Sequence, residues 1–243
     1  MSNVFSGPFD IFVQAGQSNA EGCGQGTAAE PFVPTEQILY MNKDLSLSVA
    51  AERELNGGLW SDFSLFFARE YVKAGRLDPS RRVLILRTAV GGTGFLDRRW
   101  GMTDDLFLQM VKMIQHAKTL HEDSRFAALL WHQGETDAIL TASYEGHYNN
   151  LSGLIDAVRA ETGVSDLPFV AGDFVQHWKR QNMGICEPVV TAIRHVCRDK
   201  AGHFVETDGL MSNDQTIGNG DHIHFSTPSL EILGRKYYEA IFG

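Results

Sequence analysis

Two short stretches at opposite ends of the chain carry the side-chain types that acyl transfer would need. Gly16-Gln17-Ser18-Asn19 supplies a hydroxyl, and Asp221-His222-Ile223-His224 supplies a carboxylate three residues before an imidazole. A serine hydroxyl is a weak nucleophile until an adjacent base removes its proton. A carboxylate at that spacing can bond one ring nitrogen of His224, fix its tautomer and leave the other nitrogen for Ser18. Attack on an ester carbonyl creates an oxyanion that needs hydrogen-bond donors. The candidates are the Ser18 amide, an amide of the Gly91-Gly92 loop and the side-chain amide of Gln133. Losing one such donor typically costs about 2.7–4 kcal/mol of transition-state stabilisation.

Each of these residues also has a plainer reading. Ser18 is a favoured helix-cap type, Gly91 to Gly94 fits a tight turn, and Gln133 fits a polar strand end. Glu135 and Asp137 form a carboxylate pair, but their closeness in sequence fits a glycosidase poorly. Glu135 is expected to brace the loops by accepting backbone amides, and Asp137 to precede a helix, where negative charge is favourable. His222 and His224 lack a third ligand at zinc-site spacing, so no metal is expected and His222 is read as a solvent-side turn residue. The other histidines outside these blocks, such as His147 and His177, read as surface or packing residues. Cys23 reads as a packing residue, and Trp60, Trp100, Trp131 and Trp178 as packing residues first and sugar-stacking candidates second.

The elements that must bring these stretches together follow from patterning. Ile11 to Ala15, Val83 to Leu86, Phe126 to Trp131, Leu167 to Ala171 and the weaker His203 to Val205 are short apolar runs of the kind buried on both faces of a parallel sheet. Helical spacing separates them. One helix is expected after a Ser61 cap, with Phe63, Phe66, Phe67 and Tyr71 inward and Gly75 as its stop. A second follows a Thr103 cap, a third runs from Tyr144 to Gly163, and a fourth covers Glu187 to Cys197. A last one has Thr227 as cap and Pro228 at its first position. The alternation predicts an α/β fold: a single domain over 1–243, with a doubly wound, flavodoxin-like parallel sheet of about five strands and helices on both faces. Residues 16–60 read as a long ordered excursion over one end. In such sheets ligands lie beyond the carboxyl ends of the strands, where all four polar stretches fall.

Composition removes several classes of function. The 243 residues carry 21 Lys+Arg against 30 Asp+Glu, a net charge of −9, which disfavours nucleic acid and anionic membranes as partners. Three cysteines without paired spacing give no disulfide framework, zinc ribbon or thioredoxin motif. The N-terminal MSNVFSGPFDIF lacks a basic and apolar leader pattern, and no apolar run approaches the roughly 18–20 residues of a membrane span. The chain is therefore expected to be soluble and cytoplasmic, or secreted if a leader has been removed; its oligomeric state is not readable.

GQSNAEG at 16–22, GGTG at 91–94, WHQGETDA at 131–138 and DHIH at 221–224 resemble the four blocks of the SGNH-hydrolase superfamily. More narrowly they resemble the sialate O-acetylesterase and acetylxylan esterase group of carbohydrate esterases, in the family's order and over nearly the whole chain. The resemblance implies Ser18 as nucleophile, His224 as general base and then acid, and Asp221 as its orienting partner. It implies an oxyanion hole of the Ser18 amide, the Gly92 amide (Gly91 as second choice) and Gln133, with Gln17, Asn19 and Glu135 in support. It further implies no metal or cofactor, an acetylated carbohydrate as partner, and deacetylation through an acyl-enzyme. Three positions depart from the pattern: Ala20 where Met is common, His222 where Gly usually follows the Asp, and Trp100 later than the aromatic that follows GGT. The rival readings are a lipid or thioester acyl hydrolase, against which the polar 16–60 segment speaks, and a non-catalytic carbohydrate-binding module, against which the retained Ser, Gln, Asp and His speak.

Overall fold

The computed structural model describes residues 5–243. Residues 1–4, the start of the N-terminal stretch discussed above, lie outside the described residues. In chain order the elements are β1 (Phe9–Gly16), α1 (Ser18–Glu21), β2 (Ile38–Met41), β3 (Leu47–Val49), β4 (Arg53–Leu55), β5 (Gly58–Trp60), α2 (Phe63–Lys73), β6 (Arg82–Arg87), α3 (Asp105–Leu120) and β7 (Arg125–His132). They continue with α4 (Glu135–Ile139), α5 (Tyr144–Thr162), β8 (Phe169–Gly172), α6 (Gln176–Gln181), α7 (Met183–Asp199), β9 (His203–Val205), α8 (Asn213–Ile217) and α9 (Thr227–Phe242).

The sheet runs β3-β2-β6-β1-β7-β8-β9, parallel except where β2 meets β3. The five runs expected from the sequence occupy β6-β1-β7-β8-β9, which in order of appearance is the 2-1-3-4-5 winding of a flavodoxin-like sheet. Seven strands among the described residues, rather than about five, make up this sheet. The two extra ones lie inside the 16–60 segment, which is not only a surface excursion. β2 is a four-residue apolar run, Ile38–Met41, between polar stretches, and it pairs in parallel with β6. A separate antiparallel hairpin, β4 with β5, lies outside the sheet.

Alternation along the strands makes two cores. Ile11, Val13, Leu84, Leu86, Leu129 and Trp131 face α3, α5 and α7, while Phe12, Val83, Ile85, Ala128 and Leu130 face α2 and α9. Three helix caps differ from expectation by one residue. Asp62 rather than Ser61 caps α2, its carboxylate accepting from the Ser64 and Leu65 amides, because the Ser61 hydroxyl is bonded to Glu52. Asp104 rather than Thr103 precedes α3, and Ser226 rather than Thr227 precedes α9, which moves Pro228 from the expected first helical position to the second, still within the first turn. Among the described residues no helix is long and apolar enough to cross a membrane.

Candidate active site

The chain reverses its winding between β1 and β7, and there the polar stretches meet. β1 ends at Gly16 with φ +125°, and a Cβ at Gly16 would lie 2.1 Å from the His132 carbonyl oxygen, so only glycine fits. This contact sets the GQSN turn directly against the end of β7, where the Gln17 amide donates to His132 O at 2.9 Å. Ser18 follows as the first residue of α1, 7% exposed. Amides of a first helical turn lack intrahelical acceptors, and the Ser18 amide finds none elsewhere among the described residues.

His224 Nδ1 lies 3.0 and 2.9 Å from the two Asp221 carboxylate oxygens, and Asp221 Oδ1 also accepts the His224 backbone amide at 3.2 Å. Burial acts to raise the Asp221 pKa. Hydrogen bonds from His224 and Asn213, with the histidine's charge, outweigh it and bring the value down to about 2. The carboxylate is therefore ionised at neutral pH and holds the Nδ1 proton. His224 Nε2 and the Ser18 hydroxyl make no hydrogen bond to each other in this structure; free enzymes often tighten such contacts only with substrate bound.

Asn19 ties the two halves together. Its Nδ2 donates to Glu135 Oε1 at 2.7 Å and to the Ile223 carbonyl at 3.1 Å, and its Oδ1 accepts the Phe225 amide at 3.0 Å. Both neighbours of His224 thus hang on the residue after Ser18. Glu135 is fully buried, and desolvation raises its pKa despite the Asn19 bond. The backbone amides expected at Glu135 go instead to Asp137, which accepts from Phe95 (2.9 and 3.1 Å) and Leu96 (2.9 Å). Asp137, not Glu135, therefore anchors the loop that carries Gly91 and Gly92. Gln17 Oε1 accepts the Thr136 amide at 3.1 Å and joins the first block to the third.

The donors expected for an oxyanion separate clearly. Gly91 N donates to Glu21 Oε2 at 2.7 Å, so that amide is engaged. Gly92 is exposed at φ +69°, and its amide has no acceptor among the described residues. Gln133 is 1% exposed; its Nε2 donates to Asp137 Oδ2 at 2.9 Å and, less closely, to the Thr93 carbonyl at 3.3 Å.

Sequence reasoning missed Asn213. This buried residue opens α8 behind a Ser212 capping box. It donates to Asp221 Oδ2 and to the Cys23 carbonyl, both at 2.9 Å, and accepts the Gln25 amide at 2.9 Å. The Ser-x-x-Gln pattern at 212–215 was the available signal, but it marks a helix start rather than a partner for Asp221. His222 is partly exposed, 3.3 Å from Asp214, and stacks on His177 at 4.8 Å, outside the Asp221–His224 pair. Burial pushes the Cys23 thiol up to about 12, so it is no thiolate at neutral pH. Trp100 and Trp131 are fully buried, and Trp100 donates to Thr93 Oγ1 at 3.0 Å, so neither walls a sugar site. Among the described residues no three His, Cys, Asp or Glu side chains gather as metal ligands.

Residues 8–243 match the family model described as carbohydrate esterase, sialic acid-specific acetylesterase. The chain belongs to this family of carbohydrate esterases. As a member of the sialic acid-specific acetylesterase family it is a carboxylic ester hydrolase. It is 24% identical over 226 residues to a probable carbohydrate esterase of Arabidopsis thaliana, covering 84% of each chain. The fold resembles the crystal structure of NanS, with a TM-score of 0.82, 18% identity and 98% of each chain covered. It also resembles XAC1771, described as a carbohydrate acetylesterase of Xanthomonas citri, with a TM-score of 0.63, 18% identity, and 95% of this chain and 55% of that one covered.

Proposed function

We propose that this carbohydrate esterase removes O-acetyl groups from a sugar by a serine mechanism with an acyl-enzyme intermediate. His224 Nε2 takes the Ser18 proton as Oγ attacks the ester carbonyl, and the Asp221 carboxylate holds the resulting imidazolium through Nδ1. The tetrahedral oxyanion is met by the Ser18 and Gly92 amides, both without other acceptors. Gln133 joins them by releasing the N–H now shared between the Thr93 carbonyl at 3.3 Å and Gln17 Oε1 at 3.4 Å, while it keeps its shorter bond to Asp137. His224 then returns the proton to the leaving sugar oxygen. Water, activated by the same imidazole, attacks the acetyl-serine and releases acetate.

The observation that carries this reading is Asn19, which holds the backbone on both sides of His224 from the position next to Ser18. Acetate release from O-acetylated sialic acids and acetylated xylo-oligosaccharides tests it. Turnover by the parent protein and a loss of at least about 10³-fold in Ser18→Ala is expected. Near-parental rates in the folded Ser18→Ala variant would remove the mechanism.

A further inference from the structure

A pocket of about 170 Å³ opens at the carboxyl ends of β1, β2 and β6, with Glu21 of the helix that begins at Ser18 in its lining. Lys43, Arg53 and Arg87 line it, with Glu21 as the carboxylate among its lining residues. This is a local excess of positive charge on a chain whose net charge is −9. Lys43 lies 3.8 Å from Glu21, while Arg53 and Arg87 form no ion pair among the described residues. Arg87 is held in place by the Glu21 carbonyl at 3.1 Å and by the Tyr40 ring at 4.6 Å. Burial, together with repulsion from Arg87, Arg53 and Arg99, lowers the Lys43 pKa against the pull of Glu21. Arg53 Nε is buried with no acceptor, and the fully buried Gln14 leaves its Oε1 with no donor. Unpaired buried polar atoms of both kinds are costly unless something fills the site. Arg99, whose charge also bears on Lys43, is bonded to Asp105 at 2.8 and 2.9 Å and is not free to meet a ligand.

Glu21 links the pocket to the catalytic centre. Glu21 lies in the same short helix as Ser18, its carboxylate holds the Gly91 amide, and a Cβ at Gly91 would lie 3.4 Å from Ser18 Cβ. We propose that this pocket is the subsite for the carboxylate of the substrate sugar. Lys43, Arg53 and Arg87 are its donors, and Gln14 Oε1 and Glu21 accept from neighbouring hydroxyls. The proposal rests on the esterase reading, which puts the acetyl group at Ser18, and adds the residues that select an acidic over a neutral sugar.

Two measurements test it. In the Ser18→Ala protein, titration calorimetry with sialic acid and with its methyl ester is expected to show the acid binding about 10- to 100-fold tighter, the worth of a charge-assisted hydrogen bond. Lys43→Gln and, separately, Arg87→Gln in that background are expected to erase most of that ratio. Lys43 makes only a long, partly exposed ion pair, so its loss leaves the fold intact. In the Ser18 protein, the ratio of kcat/KM for the O-acetylated acid over its methyl ester is expected to fall by the same factor in Lys43→Gln. Equal binding of acid and ester, or a ratio unmoved by both variants, would overturn the subsite while leaving acetate release to stand. Acetate release absent from both compounds, with acid-selective binding still erased by Lys43→Gln, would overturn the esterase reading and keep the subsite. Inorganic phosphate binding that the same variants abolish, with acid and ester indistinguishable, would make this a site for a free anion and overturn the proposal.

Discussion

At the scale of single residues, two histidines with a single residue between them have different surroundings. His224 faces Asp221 through Nδ1, and His222 stacks on His177 beside Asp214. His224→Ala is therefore expected to lose acetate release by at least about 10³-fold, whereas His222→Ala should stay within about threefold of the parent, an effect below 1 kcal/mol. The reverse pattern in steady-state kinetics would reassign the base. Asn19 tests the positioning argument. Asn19→Ala removes both bonds to the backbone around His224, and about 10- to 100-fold in kcat is expected, the sum of one or two lost buried hydrogen bonds. KM should change little, because Asn19 contacts the base-bearing loop and Glu135; a rise in KM with kcat intact would place it in substrate binding instead.

At the scale of elements, the geometry depends on how closely the end of β1 approaches the end of β7. Gly16→Ala would drive a Cβ into the His132 carbonyl from a backbone that favours glycine. A loss of about 2 kcal/mol or more in urea unfolding, with activity reduced in the folded fraction, is expected from the combined overpacking and strain. Parental stability would mean that the turn is not held this tightly. Four of the five expected apolar runs were legible because strands buried on both faces must be apolar throughout; the fifth, β9, is a three-residue edge strand whose first residue is exposed, which is why it read as weaker. β2 was not legible, since four apolar residues within a polar segment carry too little periodicity to separate from a loop. The caps were misplaced by one residue because Ser61 and Asp62, or Ser226 and Thr227, are all capping types, and tertiary partners such as Glu52 decide between them. The residues of the site were legible as types in order along the chain. The division of labour between Glu135 and Asp137, the engagement of Gly91 by Glu21, and Asn213 behind Asp221 were not. Each depends on contacts between segments far apart in sequence.

At the scale of the whole molecule, a buried carboxylate beneath the site has a cost that pH can read. Desolvation raises the Glu135 pKa above its unfolded value, so the folded chain binds this proton more tightly than the unfolded one. The group disfavours the folded state once pH rises through its folded pKa, and has no such effect below the unfolded value near 4.5. Glu135→Gln retains an oxygen for Asn19, so it is expected to raise Tm at pH 8, with the gain shrinking toward zero as pH falls to about 4.5. A difference in Tm that stays constant across that range would show that Glu135 is not held by desolvation. The central claim is the covalent role of Ser18, and stoichiometric labelling by an organophosphonate ester, followed by mass spectrometry of the digested protein, reads it most directly. One adduct per chain on the peptide containing Ser18, formed in step with the loss of acetate release, is the predicted result. Complete inactivation with the adduct on another residue, or full activity with Ser18 modified, would contradict the account.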